Sequence, residues 1–460
     1  MPQQTRSEPE LPGAAVDNGP YLSELDFSAF RMQVSTDRYN STEYLARERE
    51  LLWMRTWQVA GREDELPDTG DWTVYTLFDQ SFVIARGRDG QLRGFVNACR
   101  HRGNQLCEGS GHAARFTCPY HRWSFDLDGQ LVGVPRPDFD GSLEVFVGER
   151  EALGLVRVPV ECFAGFMFIN PDPQAAPLAD YLGEVVDLLA PYRMHEMVPV
   201  GINVREALDC NWKVIMDAFQ EGYHIQGVHP ELIPAMDESR ERYRFYGDHS
   251  VATAPFGASN LADISPADQV AAIRELPATF PGVAEVLPRF EELLEASRGT
   301  DGELVFTEAV NARSLLQQAT RDTLTAKGLD VSGLTDTQMS DNHFYLLFPN
   351  FFLTIRAGEA TFISSVPHPD GDPNRCIWHV TGFMWLPPEE RAAARAPLVE
   401  VSEPGSFEYF LALQQDYEQM QRQQKGLRNT RLEHMALTRQ EVRLAWFHEV
   451  LDRWVAQGPA

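Results

Sequence analysis

Six cysteines in 460 residues are too few for a disulfide framework, which excludes the small stapled secreted folds and fits a reducing compartment. Basic residues are also scarce: 40 Lys and Arg stand against 67 Asp and Glu, for a formal charge of −27. Such a surface repels nucleic acid and anionic membranes alike, so neither is expected as a partner. No run approaches the ~18 consecutive apolar residues of a membrane span. The most apolar stretch, LFPNFFLTI at 347–355, reads as a buried strand. The N-terminus, MPQQTRSEPELPGAAVDNGP, is polar, rich in Pro and Gly and without an apolar h-region, so it reads as a flexible arm and not as a signal peptide or anchor. Internal repeats are lacking too. With 43% hydrophobic residues, a cytoplasmic globular protein of two or three domains is expected.

Two regimes follow each other along the chain. Helical spacing in YLARERELLWMRTW, about 45 to 56, leads into short alternating runs such as WTVYTLF and SFVIARG, divided by Gly and Asp. These describe a small β domain over 46–170, closing where CFAGFMFINPDPQAAP supplies a last apolar strand and a Pro-rich break. From 171 to 460, long amphipathic helices are expected in LADYLGEVVDLLAPY, NWKVIMDAFQEGYHIQ, FEYFLALQQDYEQMQRQQ and RQEVRLAWFHEVLDRWV, mixed with strands such as HFYLLFPNFFLTI and CIWHVTGFMWLP. That second domain is α+β. Residues 1–45 form an arm and lead-in packed on it. The stretch 257–340, polar, helical and broken by ISPAD, TFPGV and SRGTDG, reads as an insertion near its pocket.

The chemistry concentrates in CRHRGNQLCEGSGHAARFTCPYHRW, residues 99–123. Cys99-x-His101 and Cys118-x-x-His121 are two Cys–His pairs sixteen residues apart. A zinc finger usually draws both thiolates from one segment and both imidazoles from another. Here each segment offers one of each, which suits a Rieske [2Fe–2S] centre with Cys99 and Cys118 on one iron and His101 and His121 on the other. Structural zinc and an unmetallated core are the alternatives. CRHRG and CPYHRW resemble the two cluster loops of the Rieske non-haem iron oxygenases, although that family usually has Gly where this chain has Arg122. Cys107 sits at no ligand spacing and reads as a buried small hydrophobe. GSGHAA at 109–114 satisfies G-x-G-x-x-A, but it lies between the two loops instead of between a strand and a helix. It is therefore not read as a dinucleotide site, and electrons are expected from another protein.

NWKVIMDAFQEGYHIQGVHPEL, 211–232, carries a second constellation. On a helix, Glu221 and His224 are i,i+3 neighbours, and His229 follows at the helix end marked by GVHP. Two imidazoles and one carboxylate bound facially leave iron(II) with open positions for dioxygen and substrate. Chance proximity of a few of the twelve histidines to an acid is the plain alternative. NWK followed by E-x-Y-H-x4-H resembles the catalytic-domain motif of the same oxygenases. That resemblance implies that Glu221 bridges to His121 of a neighbouring subunit, where Asp is the usual residue. It also implies that the iron carboxylate is Asp416, in LALQQDYEQMQRQQKGL. Helical geometry supports Asp416 independently, because it shares a face with Ala412, Leu413 and Met420, and an acid on an apolar stripe needs a partner. A buried Asp–Arg pair is the competing account. Glu418 shares its face with Gln414, Gln415 and Arg422. Asp217 and Tyr223 lie near the stripe of Glu221 and are candidates for hydrogen bonds around the metal. Trp212 and Phe219 read as core or pocket wall, and the remaining histidines as surface or satisfied core.

The resemblance covers the chain from about 40 to the C-terminus. It implies an all-β Rieske domain followed by a larger α+β catalytic domain of helix-grip, START-like form. It implies a terminal oxygenase component with one [2Fe–2S] cluster and one mononuclear Fe(II) held by His224, His229 and Asp416. Dioxygen is then the co-substrate, and NAD(P)H acts only through a separate reductase. The expected partners are a ferredoxin or reductase, a homotrimeric or α3β3 assembly with a small β subunit, and an apolar small molecule. Ring cis-dihydroxylation in aromatic hydrocarbon catabolism is the first expectation. Monooxygenation of an alicyclic or other apolar molecule, by hydroxylation or demethylation, is the alternative. A Rieske electron carrier and a zinc-stapled interaction module are the readings from other classes.

Overall fold

The computed structural model describes residues 19–135, 150–261, 263–307 and 309–456. The expected N-terminal arm falls almost wholly at 1–18, outside these residues. The lead-in that follows is tied to the far end of the chain. Its strand Gln33–Ser35 pairs with His434–Ala436, and Phe27 and Phe30 pack against Tyr243, Ala252 and Val442.

The expected small β domain is made of three sheets. A five-stranded antiparallel sheet runs in the order Arg157–Val158, Leu92–Val96, Gln80–Arg86, Asp71–Leu77, Ser110–His112. Ser110–His112 lies within GSGHAA and forms an edge strand of this sheet. A second sheet joins Val160–Phe163, Phe166–Ile169 and Gln58–Arg62. In the third, Phe116–Thr117 and Ser124–Phe125 form a hairpin whose tip carries Cys118 and His121. Val83, Ala85, Phe95, Phe116, Phe125 and Leu131 form one core around Cys99 and Cys118.

The larger part is organised by an eight-stranded sheet in the order Arg242–Tyr246, His249–Ala254, Asn342–Leu347, Phe351–Arg356, Glu359–Pro367, Cys376–Met384, Val198–Leu208, Val399–Val401. All neighbours are antiparallel except the last pair. Leu346, Phe352, Ile363, Trp378 and Val380 meet the helices Trp212–Ala218, Leu411–Leu427 and Val442–Ala456 on one face. Tyr345, Leu347, Phe351, Leu353 and Phe362 meet Phe166 and Phe168 of the small domain on the other. Burial of both faces removes the polar–apolar alternation, which is why HFYLLFPNFFLTI reads as one apolar strand. The structure corrects that expectation. The chain reverses at 348–350, and Leu347 pairs with Phe351 across a hairpin.

Other helices are shorter than expected. LADYLGEVVDLLAPY breaks at Gly183, where φ is +54°, into Leu178–Leu182 and Val185–Leu189. The C-terminal segment at 407–424 becomes helical only from Leu411. Within 257–340, the helices Pro266–Glu275, Val283–Ala296 and Ala312–Ala326 are present. Their apolar faces, with Val270, Ile273, Phe290 and Leu316, join Ile225, Leu232 and Phe256 in one core. This segment therefore packs directly over the region of His224 and His229. No helix among the described residues is long and apolar enough to cross a membrane.

Candidate metal centres

The loops at Cys99 and Cys118 are conformational copies. In each, the cysteine N–H donates to the carbonyl five residues on, Asn104 or Trp123, at 2.8 Å. The residue four on donates back to the cysteine carbonyl, Gly103 at 2.9 Å and Arg122 at 3.0 Å. That residue is left-handed in both loops, with φ +73° at Gly103 and +61° at Arg122. Glycine adopts this conformation freely, whereas a residue with a Cβ does so at a cost of about 1 kcal/mol. Arg122 thus keeps the hydrogen bonds of the loop in place of the family's usual Gly.

The two thiols are buried, at 2% and 1% exposure, while His101 is exposed and His121 half-buried. The imidazole centroids stand 4.6 Å apart, and His101 stacks on Trp123 at 4.8 Å and 11°. Burial pushes the Cys99 thiol up, the His101 N–H pulls it down, Cys118 pushes it up again, and the Arg102 N–H pulls it down. Backbone N–H groups aimed at a cysteine sulfur are the outer contacts that tune an iron–sulfur cluster. A single tetrahedral zinc would require all four ligand atoms around one point. Among the described residues, the one His/Cys/Asp/Glu group whose ligand atoms all lie within 4.8 Å of each other is elsewhere, at His224, His229 and Asp416. Thiols inside, imidazoles outside and no common centre fit a two-iron cluster better than zinc.

The second constellation is built differently from the sequence expectation. The helix Trp212–Ala218 stops before it, with Phe219 as C-cap. A one-turn helix, Ile225–Val228, follows, with His224 as its N-cap and His229 as its C-cap. Glu221 and His224 are therefore neighbours in a loop and not on a helix face. Gly222 allows this loop to lie against Glu241, since a Cβ at 222 would collide with Glu241 Oε1.

Three atoms converge there. His229 Nε2 lies 3.0 Å from Asp416 Oδ1, and His224 Nε2 lies 3.7 Å from the same oxygen. Ligands ~2.1 Å from a shared first-row ion and at right angles to one another stand about 3 Å apart. Each imidazole is held from behind: His224 Nδ1 lies 2.6 Å from Glu221 Oε1 and His229 Nδ1 lies 2.7 Å from Gln415 Oε1. Acceptors at Nδ1 keep the proton on that nitrogen and leave the Nε2 lone pair free for a metal. Without a cation in place, burial acts to lower the His224 pKa, but Glu221, Asp416 and Glu241 outweigh it and raise it to about 9. Asp416 comes from the Leu411–Leu427 helix, whose buried positions include Ala412, Leu413 and Met420. Its ion-pair partners among the described residues are the two histidines, so no Asp–Arg pair forms there.

The triad lines a cavity of about 130 Å³ whose other walls include Phe219, Phe256, Phe280, Phe344, Phe352 and Phe410. Asp217 and Tyr223 are not brought to the triad. Tyr39 Oη donates to Asp217 Oδ2 at 2.5 Å, and His448 Nε2 lies 3.1 Å from Asp217 Oδ1. Tyr223 is 49% exposed. Two residues of the site escaped the sequence reading. Gln415, which the helical spacing places on one face with Glu418, holds His229; its only signal in the sequence is its place beside Asp416. Glu241, buried beside Gly222 and lining the cavity, belongs to no motif. Cys107 is half-buried, and burial pushes its thiol up to about 11, as an inert thiol requires.

A β-rich domain with paired Cys–His loops, joined to a helix-covered sheet with a His–His–Asp triad, defines a two-centre iron protein. Residues 56–146 match the Rieske [2Fe-2S] domain, and residues 189–457 match the ring hydroxylating alpha subunit (catalytic domain). The chain belongs to the family of ring-hydroxylating alpha subunits, and its two domains imply one [2Fe–2S] cluster and one mononuclear iron. It is 33% identical over 204 residues to the glycine betaine monooxygenase oxygenase subunit of Chromohalobacter salexigens, covering 44% of each chain. It is 32% identical over 214 residues to the carnitine monooxygenase oxygenase subunit of Escherichia coli K12, 46% of this chain and 55% of that one. The 2,4-dinitrotoluene dioxygenase large oxygenase component of Burkholderia sp. is 32% identical over 202 residues, 43% and 44% of the two chains. The chain thus spans about half the length of the curated relatives it matches. In fold it is similar to a quaternary ammonium Rieske monooxygenase that oxidises carnitine, with TM-score 0.62 and 18% identity over 96% and 100% of the chains. It is also similar to naphthalene 1,2-dioxygenase with indole bound, with TM-score 0.63 and 18% identity over 93% and 92%.

Proposed function

We propose that this chain is the terminal oxygenase component of a multi-protein monooxygenase, drawing electrons from a ferredoxin or reductase and oxidising a small molecule in the phenylalanine-lined cavity. The observation that carries this reading is the meeting of His224, His229 and Asp416 at the cavity wall in a chain that also carries the paired Cys–His loops. In this reading Cys99, His101, Cys118 and His121 hold the cluster. His224, His229 and Asp416 hold the iron, and Glu221 bridges to His121 of a neighbouring copy in a cytoplasmic trimer. When bound, the iron supplies dioxygen reduction and oxygen insertion, fed by single electrons from the cluster. The chain's own residues prepare that site. Glu221 and Gln415 retain the Nδ1 protons, Asp416 supplies the negative charge, and the phenylalanine walls hold the substrate and exclude water.

Monooxygenation is preferred because the glycine betaine and carnitine relatives carry it in their names. The aromatic cis-dihydroxylation expected first from the sequence takes second place, supported by the dinitrotoluene relative and by six phenylalanines that suit a ring. The test begins with metal and acid-labile sulfide on purified protein, where this reading expects three irons and two sulfides per chain. Turnover with a ferredoxin and reductase under ¹⁸O₂ then separates the readings. One labelled atom in a product from a quaternary ammonium compound supports monooxygenation, and two in a cis-diol support the second reading. Zinc without sulfide would overturn both.

A further inference from the structure

Two buried amide oxygens in the wall of the cavity beside the triad have nothing to accept from. Gln220 and Asn342 line this cavity at 0% and 1% exposure, and among the described residues Gln220 Oε1 and Asn342 Oδ1 have no hydrogen-bond partner. The orientation of Gln220 is fixed, because its Nε2 donates to the Met216 carbonyl at 3.0 Å and a flipped amide would set two oxygens against each other. Its Oε1 is therefore committed to accepting. A buried acceptor left without a donor costs its full desolvation, and such a group in a cavity wall calls for a ligand that answers it.

The two amides belong to one rigid wall. Asn342 and Phe344 are two apart on the strand Asn342–Leu347 and so face the same side, and Phe344 also lines the cavity. The Arg443 guanidinium donates to the Gln220 carbonyl at 3.4 Å and to the Phe344 carbonyl at 2.8 Å. A single planar group thus clamps the turn that carries Gln220 to the strand that carries Asn342. The charged side chains of the wall act on one another: burial pushes the Glu241 pKa up, while its Tyr243 hydrogen bond and the charge of Arg443 draw it down. The unanswered groups are therefore neutral acceptors. Water answers them only while it occupies the cavity. A ligand that displaces it from a phenylalanine-lined space of about 130 Å³ must bring a donor of its own or leave both oxygens buried and bare.

We infer that Gln220 and Asn342 form a hydrogen-bonding subsite for an uncharged hydroxyl or N–H of the substrate, whose carbon skeleton packs on the phenylalanines. This rests on the oxygenase reading and names the substrate class of that site. The experiment is anaerobic calorimetry of the reduced holoprotein with three probes of one shape: benzyl alcohol, which carries an O–H, N-methylaniline, which carries an N–H, and ethylbenzene, which carries neither. The wild type should bind at least one donor probe more tightly than ethylbenzene, because a site built around a donor rejects the analogue that lacks it. In Gln220→Met and in Asn342→Leu, each checked for unchanged cluster absorbance and iron content, the Kd of that probe relative to that of ethylbenzene should rise about tenfold or more. A rise confined to benzyl alcohol assigns the subsite to a hydroxyl, and one confined to N-methylaniline assigns it to an N–H. A wild type that favours ethylbenzene, or a ratio unchanged in both variants, would overturn the inference and leave the two oxygens to water alone. Donor-selective binding that depends on the two amides, without any oxygen-dependent product when ferredoxin and reductase are supplied, would leave it standing while overturning the oxygenase reading.

Discussion

Glu221 holds His224 at two points: its Oε1 lies 2.6 Å from the ring Nδ1, and its Oε2 accepts the His224 backbone N–H at 3.0 Å. One carboxylate thus sets both the imidazole plane and the turn from which it projects. Glu221→Gln keeps an acceptor at Nδ1 and should retain iron, but it removes the charge from the proposed electron bridge. Re-oxidation of the reduced cluster, followed by stopped-flow absorbance, should slow much more than iron content falls. Glu221→Ala should weaken iron binding about 10–100-fold. A Gln variant that lost iron yet passed electrons at the wild-type rate would remove the bridge from the reading.

Gln415 gives a cleaner probe of the same design, because it reaches His229 alone. Its Oε1 fixes His229 Nδ1 at 2.7 Å, and its helix also presents Asp416. Gln415→Leu keeps the helix and removes the acceptor. Iron affinity should fall about 10–100-fold while the visible and EPR spectra of the cluster stay unchanged. Unaltered iron affinity would mean that the triad is oriented by packing alone.

The parts of the site legible in the sequence were those set by short spacing. Cys-x-His, Cys-x-x-His and His-x4-His name their residues directly, and Asp416 stood out as an acid on an apolar stripe. Tertiary choices were less legible. The helix expected through Glu221 stops at Ala218, and Gly222 was the overlooked signal, needed because Glu241 presses against it. Glu241 itself is 17 positions from His224 in sequence and could be recognised only once the sheet brought it back. The hairpin at 348–350 was hidden because both strand faces are apolar, although Pro349 and Asn350 are turn residues.

Arg122 should be a site of relievable strain. It repeats the left-handed conformation of Gly103 with the same hydrogen bonds. Arg122→Gly should preserve the cluster spectrum and stabilise the loop by up to about 1 kcal/mol, less the added freedom of the unfolded chain. Thermal unfolding followed at the cluster absorbance measures this. A destabilised variant would show that the Arg122 side chain makes a contact worth more than the strain.

A buried ion pair ties the helix Thr42–Glu48 to the catalytic domain. Lys213 Nζ lies 2.7 Å from Glu48 Oε1 with both side chains at 0% exposure, and Trp212 Nε1 donates to Glu48 Oε2 at 3.0 Å. Burial drives the Glu48 pKa up and the Lys213 pKa down, each opposed by the other's charge. Lys213→Met alone leaves a buried carboxylate unpaired and should cost about 3–5 kcal/mol. Glu48→Gln added to it should recover much of that loss. Denaturant midpoints of the two variants decide the matter, and equal losses in single and double variants would argue against charge as the cause.

Acid sensitivity should have an identifiable source in His379. Its Nε2 lies 3.3 Å from Asn203 Oδ1 and 3.1 Å from Thr381 Oγ1, and among the described residues its ring forms no ion pair. Burial first, and Arg205 second, lower its pKa from 6.5 to about 3. A depressed histidine favours folding above its unfolded value. Below pH 6.5 the unfolded chain takes up a proton that the folded site refuses, so stability falls as pH drops from 6.5 towards 3. One pH unit into that window, near pH 5.5, the loss approaches about 1 kcal/mol. His249 and His448 are depressed in the same direction by burial, so the wild type should lose more than one such increment. His379→Gln keeps a polar side chain without a titrating group. Its unfolding midpoint should therefore fall less than that of the wild type between pH 7.5 and 5.5. An unchanged pH dependence in this variant would mean that water in the separate cavity of about 370 Å³ that His379 lines already solvates the protonated ring, and the acid sensitivity would then have to come from His249 and His448, which are 1% and 3% exposed.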